Sequence, residues 1–325
     1  MNGFKINSKE QFLDDIVKCS EENLKFTIAN KKNAYCCYTK TKKTGKRTIY
    51  SINKNHGLYN VQNNIQTVFF LNILFPECVC GFRKRKSYYD FLIPHVTNNK
   101  SRYYLRLDIS NFFDSIRVND IKECLSYYIS KDISDDEKEW IINTIIDIAT
   151  YNNKVIQGAI TSPIISNLVF RYLDIRIERY CDKMGIKYTR YTDDLLFSSD
   201  TSYIHNYKFQ NMIKTILSSK GFELNNRKTL KFQNEISLNG YVVGSSIRLS
   251  RKKLTSLNTI LFAMKNNKFK GFKSRKAMYI TKNKLAGYRA FLIQSIPYLS
   301  EDKTNQVKKK IMEIETLISK YCIEK

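Results

Sequence analysis

Three aspartates stand in the least hospitable surroundings this chain offers, and they restrict its fold more than any other feature. Asp108 lies in Tyr103-Tyr-Leu-Arg-Leu-Asp-Ile109, a run that alternates with a period of two. Leu105, Leu107 and Ile109 fall on one face and Tyr104, Arg106 and Asp108 on the other, so the run reads as a strand with a carboxylate on its polar face. Asp193 and Asp194 lie between Tyr191-Thr192 and Leu195-Leu196-Phe197. Ionised carboxylates in a sheet core are costly unless something compensates them. Divalent cations are the strongest compensation, and hard oxygen ligands suit Mg²⁺. Two such ions roughly 3.5–4 Å apart, bridged by carboxylates, activate a hydroxyl nucleophile and stabilise a leaving pyrophosphate. Taken singly, an Asp-Asp pair is usually an exposed turn and a strand aspartate is as readily a salt-bridge partner. The three together point to metal-dependent chemistry.

The rest of the chain mixes helical and strand patterns. Gln11 to Asn30 and Val61 to Leu74 have helical period. Ala34 to Ser51 predicts a basic β-hairpin turning at Thr44-Gly45. A helix is expected around Val118 to Ile129, and another from Ser134, where Ser134-x-x-Glu137 spells a capping box. Ser162-Pro163 opens a further helix, with Ser as N-cap and Pro at the first helical position, and Gly185 is placed to end it. Lys187 to Ser198 reads as two strand arms around a tight acidic turn. Phe209 to Lys220 reads as an amphipathic helix closed by Gly221, and Ile236 to Leu249 as a hairpin. Beyond it, Leu254, Leu257, Leu261 and Met264 share one helix face, and Val307, Ile311, Ile314, Ile318 and Tyr321 another. That all-helical tail sets a subdomain boundary near residue 246.

Charge says what the molecule meets. Lys and Arg total 55 against 30 acids, a net +25. From Ser246 to the C-terminus there are 19 basic and 5 acidic residues, a balance of +14. A basic surface is also a soluble one, but solubility needs far less charge than this, so a nucleic-acid partner is expected. The eight cysteines are scattered without a C-x-x-C pair, and the three histidines supply no zinc-finger spacing, so they read as reduced packing thiols of a cytoplasmic protein. No run of 18 apolar residues and no signal peptide are visible, so no membrane role is expected.

The motifs carry a resemblance. Asp108 with Phe113 five residues on, then Gln157-Gly158-x-x-Thr161-Ser162-Pro163, then Tyr191-Thr192-Asp193-Asp194, resembles motifs A, B and C of reverse transcriptases. The stretch from Gly221 to Thr229 looks like motif D, Asn239-Gly240-Tyr-Val-Val looks like motif E, and Lys46-Arg47 looks like the fingers motif that contacts triphosphate. The match runs in order over roughly residues 35–250. It implies an α+β right-hand polymerase fold: an N-terminal region and fingers over 1–100, a palm with an antiparallel sheet over 101–245 carrying a fingers insertion at about 117–155, and a basic helical thumb over 246–325.

The resemblance also implies roles. Asp108, Asp193 and Asp194 would be the catalytic acids of an RNA-directed DNA polymerase and, with the backbone carbonyl of Ile109, would surround two Mg²⁺ ions; Asp108 and Asp193 are the more direct ligands. Lys46, Arg47, Phe113, Gln157, Gly158 and Lys228 would handle the dNTP. Arg47 looks like the triphosphate ligand, its planar fork suiting phosphate; an exposed hairpin charge is the alternative. Phe113 resembles the steric gate against a 2′-hydroxyl, with core packing beside Phe112 the other reading. Lys228 resembles the motif D lysine placed to protonate pyrophosphate, or is a surface lysine. Arg251, Lys252, Lys253, Lys273, Arg275 and Lys276 would grip RNA by its phosphates and shape.

Within the family the chain is similar to bacterial retron enzymes, on Leu107-Asp-Ile-x-x-Phe-Phe-x-Ser-Ile116, Thr161-Ser-Pro-x-x-Ser-Asn-Leu168 and a short helical thumb. It departs from their usual pattern at Phe91-Leu92, Leu238-Asn239 and Thr192. That resemblance implies a cognate structured non-coding RNA as template and primer, a multicopy single-stranded DNA (msDNA) product, an effector or toxin partner, and a place in antiphage defence. A non-retron defence-associated polymerase with unusual template or priming, or a catalytically silent RNA-binding antitoxin subunit, would share most of these features.

Overall fold

The structure is a computed structural model that describes residues 4–42, 45–97, 101–266, 274–299 and 301–321, with the backbone alone at 40, 42, 45–47, 275 and 321. The chain divides into two compact units, one of residues 1–91 and 103–231, the other of residues 92–102 and 232–325.

The first unit begins with a short turn of helix, α1 (Lys9–Gln11), which runs into a π-helical stretch over Phe12–Val17. The single helix expected over Gln11 to Asn30 is broken. Lys18 takes a left-handed φ of 56°, Ser20 caps a new helix by accepting the Asn23 N–H, and α2 spans Glu21–Ala29. A serine that can cap is worth more at a helix start than inside one. The hairpin pairs β1 (Tyr35–Lys42) with β2 (Gly45–Ile52) in antiparallel register, while the Thr44 part of its turn lies outside the described residues. Helix α3 (Gly57–Val68) starts earlier than its period suggested because His56 caps it, its Nδ1 accepting the Leu58 N–H. A short α4 (Tyr88–Leu92) follows.

The unit centres on a sheet in the order β4-β5-β3-β6, made of β3 (Tyr103–Asp108), β4 (Lys187–Tyr191), β5 (Asp194–Ser199) and β6 (Leu230–Gln233). Helices α5 (Val118–Ser126), α6 (Asp135–Ala149), α7 (Ser162–Lys183) and α8 (Tyr207–Ser218) pack around it. β5 is buried along its whole length, and Tyr104 on β3 is as inaccessible as Leu105, so both faces of β3 are covered. One apolar core runs from Phe12 and Ile65 through Leu107 and Ile145 to Leu173 and Phe222. Ser134 caps α6 by accepting the Glu137 N–H, while the Glu137 carboxylate accepts the Lys9 backbone N–H. Helix α7 begins one residue earlier than expected: Thr161 holds the cap position and Pro163 the second helical one.

In the second unit the expected hairpin over Ile236 to Leu249 is a three-stranded antiparallel meander of β7 (Ile236–Leu238), β8 (Tyr241–Val243) and β9 (Ile247–Leu249). Among the described residues the helices that follow are α9 (Arg251–Lys265), α10 (Arg275–Ser295) and α11 (Glu301–Tyr321). Leu257, Leu261 and Met264 are buried as the period predicts, but Leu254 is 41% exposed. On α11 the buried seam is Ile311, Ile314 and Leu317. Among the described residues no helix is long and apolar enough to cross a membrane.

Candidate active site

β3 and β5 run antiparallel, and their register places Asp108 directly opposite Asp194. β4 and β5 are joined by the two-residue turn Thr192-Asp193, closed by the pair Tyr191 and Asp194. Two-residue hairpin turns need a left-handed residue, usually Gly or Asn. Here Thr192 supplies it, with φ 61°. A β-branched residue in that region is strained, and such strain collects at functional sites. The Ile109 N–H donates to the Asp193 carbonyl at 2.9 Å, and the Asn225 N–H donates to the Asp108 carbonyl at 2.7 Å. The three aspartates therefore sit on one backbone frame, with Asp108 and Asp194 buried and Asp193 partly so.

Among the described residues, two cations answer Asp108 and Asp194. Lys228 Nζ lies 2.8 and 3.0 Å from the two Asp108 oxygens. Arg106 Nε donates to Asp194 Oδ1 at 2.8 Å, its Nη2 contacts the same oxygen, and Nη2 lies 3.6 Å from Asp108 Oδ2. Burial pushes the Asp194 carboxyl above its ordinary range; Arg106 opposes this, and Asp193 and Asp108 add to it. A set of hard carboxylate oxygens facing cationic stand-ins fits divalent ions. Among the described residues no three His, Cys, Asp or Glu side chains already converge on one point, and Asp108 is engaged by Lys228.

Behind the turn lies a buried network that the sequence reading missed. Arg190, 0% exposed, donates through Nε and Nη2 to the two oxygens of Asp174, which is also 0% exposed. It donates further to Asn167 Oδ1 and to the Thr192 carbonyl, both at 3.1 Å. Tyr188 donates its hydroxyl to Asp174 at 2.8 Å. Asn167 Nδ2 reaches the Gly81 carbonyl, and Gly81 packs so closely that a Cβ there would stand 2.6 Å from the Thr192 backbone nitrogen. Burial opposes the Arg190 charge, yet Asp174 outweighs it and holds the guanidinium above its usual value. The sequence signal was a pair of polar residues, Asn167 and Asp174, seven apart and so on one face of α7 among apolar neighbours.

The other expected site residues separate into groups. Phe113 is half-buried, its ring 5.5 Å from Phe112 and 6.3 Å from Phe82. Gln157 accepts the Tyr50 N–H on its carbonyl at 3.0 Å, and its buried side-chain Oε1 has no protein partner. Thr161 Oγ1 and Ser162 Oγ are buried without a protein partner as well. Gly158 has φ 120°, and a Cβ there would collide with the Tyr50 carbonyl. Gln62, fully buried and also missed, ties this loop together: it accepts the Ile160 N–H and donates to Tyr35 Oη and the Ile148 carbonyl. Lys46 and Arg47 lie on β2 opposite Thr41 and Lys40, but their side chains fall outside the described residues.

A family model of reverse transcriptase (RNA-dependent DNA polymerase) matches residues 40–243, which takes in the three aspartates, Arg106, Arg190, Lys228 and the loop at Gln157-Gly158. The chain belongs to the reverse transcriptase family. It is 29% identical over 218 residues to the retron Ec86 reverse transcriptase of Escherichia coli, covering 65% of this chain and 63% of that one. It is 26% identical over 293 residues to the retron Ec48 reverse transcriptase of Escherichia coli, covering 85% and 68%. These relatives support the retron type. Among solved structures, telomerase from Candida tropicalis with a fragment of telomeric RNA superposes with a TM-score of 0.51 at 13% identity, over 93% of this chain and 57% of that one. That likeness concerns the fold, which is the right-hand polymerase fold the motifs implied.

In the second unit of this reverse transcriptase, Arg251, Lys252 and Lys276 are exposed on α9 and α10. Lys253 is placed differently. Its stem lies across Gly240, and its ammonium sits 4.0 Å from the centre of the Tyr241 ring, where burial lowers its pKa. Lys273 and the Arg275 side chain lie outside the described residues.

Proposed function

We propose that this protein is an RNA-directed DNA polymerase of retron type, which copies a cognate structured non-coding RNA into msDNA using dNTPs and Mg²⁺. The observation that carries this reading is the register that sets Asp108 against Asp194, with Asp193 held in the adjoining strained turn. Bound at Asp108 and Asp193, with the Ile109 carbonyl nearby, two divalent ions would polarise the primer hydroxyl and neutralise the leaving pyrophosphate. The protein's own groups do the rest. The buried Arg190 network fixes the turn, so the carboxylates are aimed before substrate arrives. Lys228, half-exposed beside Asp108, is placed to give a proton to pyrophosphate once it leaves that carboxylate. The Phe113 ring would wall the sugar, and Gln157 and Gly158 would seat the base pair. Lys46 and Arg47 on the hairpin would take the triphosphate.

The polymerase subdomains then follow the chain: fingers over 1–100, palm over 101–245 with an insertion at about 117–155, and a thumb over 246–325 whose +14 balance grips RNA. A retron-type enzyme would work in the cytoplasm with an effector protein, in antiphage defence. Purified protein given its RNA, dNTPs and Mg²⁺ should extend DNA, and Asp193→Ala combined with Asp194→Ala should stop it. Extension that survives the double change would overturn the reading. Sequencing DNA made in cells separates the retron product, a fixed msDNA, from the homopolymer or repeat of a non-retron polymerase.

A further inference from the structure

We propose that Arg106 is a resident counter-ion of the catalytic centre, keeping Asp194 occupied so that Asp108 and Asp193 are the carboxylates that meet divalent cations. The inference rests on the polymerase reading of this site and deepens it.

Arg106 lies two residues before Asp108 on β3, hence on the same face of the strand. Directly opposite Arg106 on β5 is Leu196, so Arg106 reaches Asp194 along the diagonal, a distance a long side chain spans. Two of its nitrogens converge on Asp194 Oδ1, and Nη2 stands 3.6 Å from Asp108 Oδ2.

Lys228 and Arg106 differ in how they are held. Lys228 comes from a single turn of 3₁₀ helix, Asn226–Lys228, and its side chain is 52% exposed. Arg106 stands inside the central sheet with its side chain 19% exposed, against an Asp194 side chain at 11%. Lys228 can swing into water when an ion claims Asp108, and nothing buried is left behind. Arg106 is far less free to leave, because parting from Asp194 would cost a largely covered guanidinium its bonded partner and leave the buried Asp194 carboxylate uncompensated. So one cation is exchangeable and the other stays. With Arg106 in place, the carboxylates open to metal ions are Asp108, once Lys228 leaves it, and Asp193, which is less buried than Asp194.

The test is Mn²⁺ binding to the full-length protein without nucleotide, read from loss of the free-ion electron paramagnetic resonance signal. Wild type should bind Mn²⁺ in a manner that Asp108→Asn weakens at least about tenfold. Arg106→Gln removes a positive charge beside the ions and frees Asp194 to ligate, so it should bind at least about fivefold tighter. Arg106→Lys keeps the charge and should stay within about twofold of wild type. Asp194→Asn alone should weaken binding less than Asp193→Asn. Unchanged or weaker binding by a folded Arg106→Gln would overturn the proposal, as would an Asp194→Asn variant that loses Mn²⁺ as completely as Asp108→Asn. If Arg106→Gln fails to fold, the comparison of Asp194→Asn with Asp193→Asn decides. If Asp108→Asn leaves Mn²⁺ binding untouched, it is the polymerase site itself that fails, an outcome distinct from failure of Arg106 alone.

Discussion

Arg190 and Asp174 form a two-point ion pair sealed from solvent, directly beneath the turn that carries Asp193. The same guanidinium holds the Thr192 carbonyl and lies 4.5 Å over the Phe170 ring. Removing one partner leaves the other charged and buried, which costs about 3–5 kcal/mol. Arg190→Met or Asp174→Asn should each lower stability by about that much, measured by denaturant unfolding. The double variant should be less destabilised than the sum of the two. Additive losses would show that the pair is not coupled.

Lys228 should be needed for chemistry more than for binding. Lys228→Gln is expected to lower kcat for dNTP incorporation about 10²-fold, the lower end for loss of a general acid, with a much smaller change in KM. Lys228→Arg should recover little of it, since a guanidinium does not release its proton. Single-turnover incorporation with and without the substitution decides; full activity in Lys228→Gln would return this residue to the surface.

Gly158→Ala should damage nucleotide handling. Its φ of 120° is barred to side chains, and the new Cβ would meet the Tyr50 backbone. Strain of this kind costs about 1–3 kcal/mol. The expected result is a raised KM for dNTP with at most a few degrees lost in the melting temperature. A variant with wild-type kinetics would place the loop outside the nucleotide path.

Glu178 sets a pH dependence outside the site. Burial raises its carboxyl pKa, offset in part by a contact with Cys78, while Asp182 and Asp174 add to the rise. A raised pKa means that the folded state holds the proton more tightly than the unfolded one. The ionised residue is then a burden at pH values above the folded pKa, and the burden vanishes below about pH 4.3, where the unfolded group is protonated too. Glu178→Gln should therefore be more stable than wild type at neutral pH, and the advantage should shrink as pH falls toward 4. Denaturant midpoints across that range check it; an advantage that grows on acidification would contradict the assignment.

Much of the site was legible because its logic is local. The alternation that placed Asp108 on a strand face and the acidic turn at Thr192-Asp193 both follow from pleat and turn chemistry, and both are present. What escaped was long-range. The Arg106 charge was visible as a strand residue, but its partner Asp194 lies 88 residues away. Arg190 fell within an expected strand arm with no partner in view, and only the packing of α7 on β4 turns it into the support of the turn. The helix break at Lys18 was hidden because lysine has no preference for left-handed backbone; its conformation is dictated by the Cys19 N–H reaching the Leu13 carbonyl.

The bond from the Tyr50 N–H to the Gln157 carbonyl, with bare Gly158 pressed on the same residue, ties the basic hairpin to the loop before α7. A shift of the hairpin at Tyr50 would strain that bond and press on the Gly158 backbone. Whatever moves the Tyr50 strand is therefore felt at Gln157 and Gly158, two positions far apart in sequence from Tyr50 that share one backbone contact with it.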